Sequence, residues 1–247
     1  AITRWDVYDA NQEYTGYTLY EYDSNEQLIK ITDCNANEKT FVYDKAGRIT
    51  TESDFDGNTA QYKYDASGRL IESSIDGAVT KYDYYKVGKL HTVTDALNNK
   101  TSYYYDNMWN VNKVTNALGN ETLYNYDNSG NLTKITTPSG ITNEFTYDFR
   151  NKVLTSKDGK GNITKNSYDE NGNLVKTVYA DNSEIKYGYD ELNRQTSITD
   201  ANGNITNTVY DSMGNTMQVL KPLNVKQSMD YDENGNVSVV KDSYDVI

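Results

Sequence analysis

The dipeptide Tyr-Asp returns along this chain at an interval that leaves the fold little freedom. Tyr22, Tyr43, Tyr64, Tyr84, Tyr105, Tyr126, Tyr147, Tyr168, Tyr189, Tyr210 and Tyr231 stand 21 residues apart, except for one step of 20 between Tyr64 and Tyr84. A chain that repeats at such a period stacks equivalent supersecondary units, because one unit cannot bury its apolar face alone.

Each unit can be read from its tyrosine, taken as position 0. Ten of the eleven tyrosines are followed by Asp, the exception being Tyr84-Tyr85, and Gly47, Gly68, Gly88, Gly130, Gly172, Gly214 and Gly235 stand at position 4. Asp-x-x-Gly is turn chemistry: the carboxylate bonds backbone just ahead of it, and Gly supplies a positive φ. Asp44/Gly47, Asp65/Gly68, Asp127/Gly130 and Asp169/Gly172 are the clearest candidate turn pairs.

Position 5 is usually Asn, Arg or Lys. Position 6 is apolar in Leu28, Ile49, Leu70, Leu90, Val111, Leu132, Val153, Leu174 and Val237, with Gln195 and Thr216 as departures, so a short strand is expected to start there. A second turn signal falls at positions 11 to 15, as in "DFDGN" and "DANGN", and Cys34, Pro138 and Pro222 all occupy position 12. The closing segment then alternates. Phe41/Tyr43, Tyr62/Tyr64, Tyr82/Tyr84, Tyr103/Tyr105, Tyr124/Tyr126, Phe145/Tyr147 and Tyr187/Tyr189 are spaced by two, the mark of a strand with one aromatic face. Asn166, Thr208 and Met229 replace the companion aromatic late in the chain, so that column is expected to thin.

The expected fold is all-β: an antiparallel meander with two strands per repeat, roughly twenty in all, in a sheet that must curve or coil. Residues 1–21 read as an irregular leading partial repeat and residues 22–247 as a tandem domain of about eleven repeats. Apolar positions 6 and 9, such as Leu28 and Ile31, differ in parity and cannot share one face of a regular strand. A β-bulge reconciles them; a helical turn would also, but the segment is too short for a stable helix. Tyrosine outnumbers Phe by 24 to 4, which implies that the far end of each ring reaches water or a polar partner.

The net charge of −12 speaks against nucleic acid and anionic membranes as partners. No run of about 18 apolar residues occurs. A chain beginning Ala1-Ile2-Thr3 reads as a piece of a longer polypeptide. Cys34 and His91 are the only residues of their kinds and lie at non-equivalent positions, so a nucleophile–base pair is not expected. The carboxylates recur at turn positions in most repeats, whereas catalysis would need a pair placed once. "DENGN" and "DFDGN" carry oxygen ligands in a calcium-loop order but lack its closing bidentate Glu. The Asn-x-Thr/Ser sites at Asn99, Asn120, Asn131, Asn162, Asn204 and Asn236 arise from the repeat pattern itself. No catalytic residue, metal site or cofactor is expected.

The pattern Tyr-Asp-x-x-Gly-Asn/Arg-Leu, followed by Asp-x-x-Gly-Asn and Thr-x-Tyr-x-Tyr-Asp, closely resembles the YD repeats of the rearrangement-hotspot (Rhs) family over roughly residues 20–245. That family includes bacterial polymorphic toxins, insecticidal toxin-complex components and teneurins. The resemblance implies a β-strand spiral forming part of a hollow shell, in a large secreted or surface-associated bacterial protein that encloses a toxic domain. Its partners would be the rest of its own polypeptide, with self-association through exposed strand edges as a further expectation. With only Pro138 and Pro222 present, the family's Pro/Gly-rich self-cleaving box is not matched here. The alternative is an adhesion module in which Phe41, Tyr62, Tyr82, Tyr103, Tyr124, Phe145 and Tyr187 contact glycans or a surface receptor.

Overall fold

A computed structural model describes residues 1–8 and 14–244. Within them lie 23 strands and one short 3-10 segment, Pro222–Asn224. The chain divides into two compact units, residues 1–121 and 122–247. In each unit successive strands pair antiparallel with their neighbours in sequence. Leu28–Thr32 lies between Tyr14–Tyr22 and Glu38–Tyr43 in the first, and Leu174–Val178 between Ile163–Tyr168 and Glu184–Tyr189 in the second. The leading stretch is itself paired: Ile2–Tyr8 runs against Tyr14–Tyr22, with Ile2 opposite Glu21 and Trp5 opposite Thr18.

The parity conflict is resolved by a bulge. Tyr22 faces Leu28, but Glu21 faces Lys30 and Tyr20 faces Ile31, so Ile29 is an extra residue with no partner across the pair. Tyr189 faces Gln195 while Gly188 faces Ser197, leaving Thr196 in the same role. The insertion switches the alternation between positions 6 and 9. Both therefore share a face with the two aromatic positions, Leu28 standing opposite Tyr22 and Ile31 opposite Tyr20.

Turn geometry follows the repeat even where the residue does not. Besides the seven glycines at position 4, Glu26, Trp109, Asn151 and Asn193 also have φ between 61° and 65° there. The short step has its own cause. In "SSIDGAVT", Ile75 faces Ala78 across a two-residue turn whose Asp76 and Gly77 both have positive φ, the hairpin type that matches strand twist.

Among the described residues no apolar side chain is buried, and Thr92 and Thr177 are the buried polar ones. In strands such as Thr59–Tyr64, Glu121–Tyr126, Ile163–Tyr168 and Ile205–Tyr210 the tyrosine face is half-buried and the other face exposed. The stability of each unit is therefore a sum of contacts between neighbouring strands, as in other repeat architectures.

Candidate functional site

The ladder tyrosines complete the strand pairing where the bulge interrupts it. Leu28–Thr32 pairs with Glu38–Tyr43 only from Lys30 opposite Thr40 onward, so the Leu28 carbonyl lies beyond the ladder. The Tyr43 hydroxyl donates to that carbonyl at 2.7 Å. The same bond, 2.7–2.9 Å long, joins Tyr64 to Ile49, Tyr84 to Leu70, Tyr105 to Leu90, Tyr147 to Leu132, Tyr168 to Val153, Tyr189 to Leu174, Tyr210 to Gln195 and Tyr231 to Thr216. A phenylalanine would leave the carbonyl short of a donor, which is why tyrosine holds the position. Partial burial pushes the phenols of Tyr84, Tyr105, Tyr147 and Tyr189 above their ordinary value.

The turn carboxylates are equally occupied. Asp44 Oδ1 accepts from the backbone amides of Ala46 and Arg48, and its Oδ2 accepts from Arg48 Nε at 2.8 Å. Asp127 does the same with Ser129, Asn131 and the Asn131 side-chain amide. In the second turn of each repeat, Asp54 binds Asp56 and Asn58 in the same way, so the "DFDGN" carboxylate serves the backbone. Asn99, Asn131, Asn162, Asn204 and Asn236 each donate their side-chain amide to the turn Asp.

These bonds hold the carboxyls below their ordinary 3.8, chiefly through the Arg48 side chain at Asp44 and the Asn131 side chain at Asp127. Glu184, hydrogen-bonded by Lys176 and then Lys186, is lowered to about 2. Because folding lowers these values, the stabilisation is complete above the unfolded range near 4 and is lost as pH falls toward 2. Urea midpoints measured from pH 6 down to pH 2 are expected to hold steady and then fall below about 4. A midpoint unchanged at pH 2.5 would contradict this role for the turn carboxylates.

The companion aromatics share the ladder face. Tyr62 donates to Glu52 Oε1 at 2.7 Å, which pushes its phenol up to about 12, and Tyr82 meets Ser73 Oγ at 3.3 Å. Phe41 lies under Lys39 Nζ at 5.2 Å. Tyr103, Tyr124, Phe145 and Tyr187 stand opposite Val114, Ile135, Ser156 and Ile198. Where Asn166 replaces the ring, its amide donates to the Val153 carbonyl and its oxygen accepts from Thr177, so polar bonds take over from aromatic contact.

Cys34 and His91 are not brought together as a reacting pair. Cys34 is exposed beside Gly16, whereas His91 Nδ1 lies 3.1 Å from Asp83 Oδ2 and its ring 4.4 Å from that of Tyr85. The position with an unforeseen role is position 5. Arg48, Arg69 and Arg194 each bind their own turn Asp and cover the next repeat's tyrosine, at 4.6 Å from Tyr64, 4.8 Å from Tyr84 and 4.9 Å from Tyr210. The recurrence of Arg, Lys or Asn at that position was the available signal.

Comparison with known proteins agrees with this geometry. The family model described as teneurin YD-shell matches residues 5–108 and 57–152, together more than half of the chain, and the RHS repeat model matches residues 168–205. The chain belongs to the YD-shell family. Among curated proteins none matches significantly. The crystal structure of TcdB2-TccC3 superimposes with a TM-score of 0.68 at 17% identity, over 98% of this chain and 15% of that one. TcdB2-TccC3 without its hypervariable C-terminal region gives 0.67 at 18% identity, over 96% and 14%. The Photorhabdus luminescens Tc holotoxin pore gives 0.57 at 16% identity, over 97% and 17%. These likenesses establish the fold, and the YD-shell chain spans 14–17% of the length of the three structures.

Proposed function

We propose that this YD-shell chain is a wall segment of an encapsulating shell in a large secreted or surface-associated Rhs-type protein, enclosing an effector domain carried elsewhere in the same polypeptide. The observation that carries this reading is the hydroxyl-to-carbonyl ladder. The repeated tyrosines are engaged in joining one repeat to the next, which is the work of a wall rather than of a reaction centre. The turn carboxylates are engaged likewise, which supports a structural, non-enzymatic role. The relatives of matching fold include one described with and without a hypervariable C-terminal region, the arrangement expected of a shell with a variable content.

Mass spectrometry of the full-length native polypeptide, before and after limited proteolysis, tests the proposal. A C-terminal piece that stays associated and protected while exposed loops are cut is the expected result. A C-terminus digested as fast as those loops would overturn it.

A further inference from the structure

The repeats provide their own precedent for what belongs between two successive Tyr-Asp turns. Arg194 reaches from its turn to donate Nη1 to the Asp211 carbonyl at 3.0 Å, while its guanidinium covers the Tyr210 ring. Arg69 makes the equivalent reach to the Tyr85 carbonyl at 3.4 Å and covers Tyr84. Arg150, placed two residues earlier in its repeat, donates to the Asp169 and Glu170 carbonyls at 2.9 and 3.0 Å. In other repeats amides close the gap, as where Asn131 and Asn173 donate to Asn151 and Asn193.

Between the turn of residues 211–215 and that of residues 232–236 the gap stays open. Position 5 is Asn215, whose amide donates to its own Asp211 at 3.0 Å, and the next turn carries Gly235 where Asn151 and Asn193 offer a side-chain acceptor to Asn131 and Asn173. A cleft of about 610 Å³ remains, lined by Asp211, Asp230, Asp232 and Glu233, by Met213, Met217 and Met229, and by Tyr231. Lys and Arg are absent from that lining, and of its carboxylates Asp230 already pairs with Lys241 Nζ at 3.1 Å. Another open cleft of this register, lined by Asp23, Ile29, Phe41 and Asp44, already includes Lys45.

We propose that the cleft between residues 211–215 and 232–236 is a receptor site for a guanidinium group, an arginine side chain presented by another polypeptide segment. The tyrosine face attracts a planar cation, Glu233 and the turn carboxylates of Asp211 and Asp232 supply the opposite charge, and the polarisable thioethers pack along an aliphatic stem. The carbonyl of Asp232 occupies the place of the Asp211 carbonyl that Arg194 uses. Arginine suits the site better than lysine because a planar fork can stack on the ring and bond the turn together.

Three of the four methionines line the cleft, and Met108 lies outside it. The test is therefore a methyl-13C-methionine NMR titration with Nα-acetyl-arginine amide. Saturable shifts of the Met213, Met217 and Met229 methyls, with Met108 unmoved and the corresponding lysine amide several-fold weaker, are expected. Asn215→Arg should fill the cleft from within, abolish the shifts and raise the melting temperature, its unchanged Met108 signal reporting an intact fold. No saturable shift, an equal response to the lysine amide, or undiminished binding by a folded Asn215→Arg variant would each overturn the proposal. In the full-length polypeptide, methyls already at their bound positions would assign the arginine to the same chain. Methyls that still titrate would assign it to a separate one.

Discussion

Replacing Tyr147 by alanine is expected to lower the stability of its unit by about 3 kcal/mol, the low end of the range for large aromatic truncations because the ring is only half-buried. The ring stands opposite Val153 and its hydroxyl donates to the Leu132 carbonyl at 2.7 Å, so the change removes a cross-strand contact and a carbonyl's donor together. Tyr147→Phe separates the two effects and is expected to cost about 1 kcal/mol, the net worth of one hydrogen bond. Urea unfolding gives the sizes, and native-state hydrogen exchange gives the location. With no buried apolar side chain among the described residues to spread the damage, faster exchange should centre on the strands Leu132–Thr136, Thr142–Tyr147 and Val153–Lys157. A phenylalanine variant as unstable as the alanine one would show that the hydroxyl, rather than the ring, holds the ladder.

Gly130→Val is expected to destabilise by about 2 kcal/mol for a different reason. Gly130 sits at φ 82°, and a Cβ there would meet no atom within 4 Å, so the whole effect comes from forcing a branched residue into left-handed backbone. The opposite change exists in the same sequence. Glu26 occupies the equivalent position at φ 64°, and Glu26→Gly should stabilise by about 1 kcal/mol as that penalty is relieved. Differential scanning calorimetry of the two variants should give melting temperatures on either side of the parent's. If both fell, position 4 would be held by side-chain contacts rather than by backbone conformation.

Much of this architecture can be read without coordinates because it is local. A Gly or its substitute four residues after each Tyr, an Asp that binds the amides two and four residues ahead, and aromatics spaced by two are all decided within a few bonds of chain. The resemblance to YD repeats rested on those local signals, and the fold agrees with it. The position-5 arginines were visible as a recurrence but not as a function. Arg194 acts on Tyr210 and Asp211, which belong to the next repeat, and alternation along one strand does not reveal what a long side chain meets on another.

The sequence by itself determined the number of repeats, where each turn falls, which backbone position must be left-handed, and that one strand face is aromatic. The tertiary structure decided which way the parity conflict between Leu28 and Ile31 resolves, which carbonyl each tyrosine hydroxyl finds, and which gap between turns is left unfilled. The division has a physical cause. Turns and alternation depend on steric and hydrogen-bonding preferences within about five residues, whereas the bulge, the ladder and the open cleft depend on register between strands, fixed only when segments some 15 residues apart pair and their side chains compete for the same space.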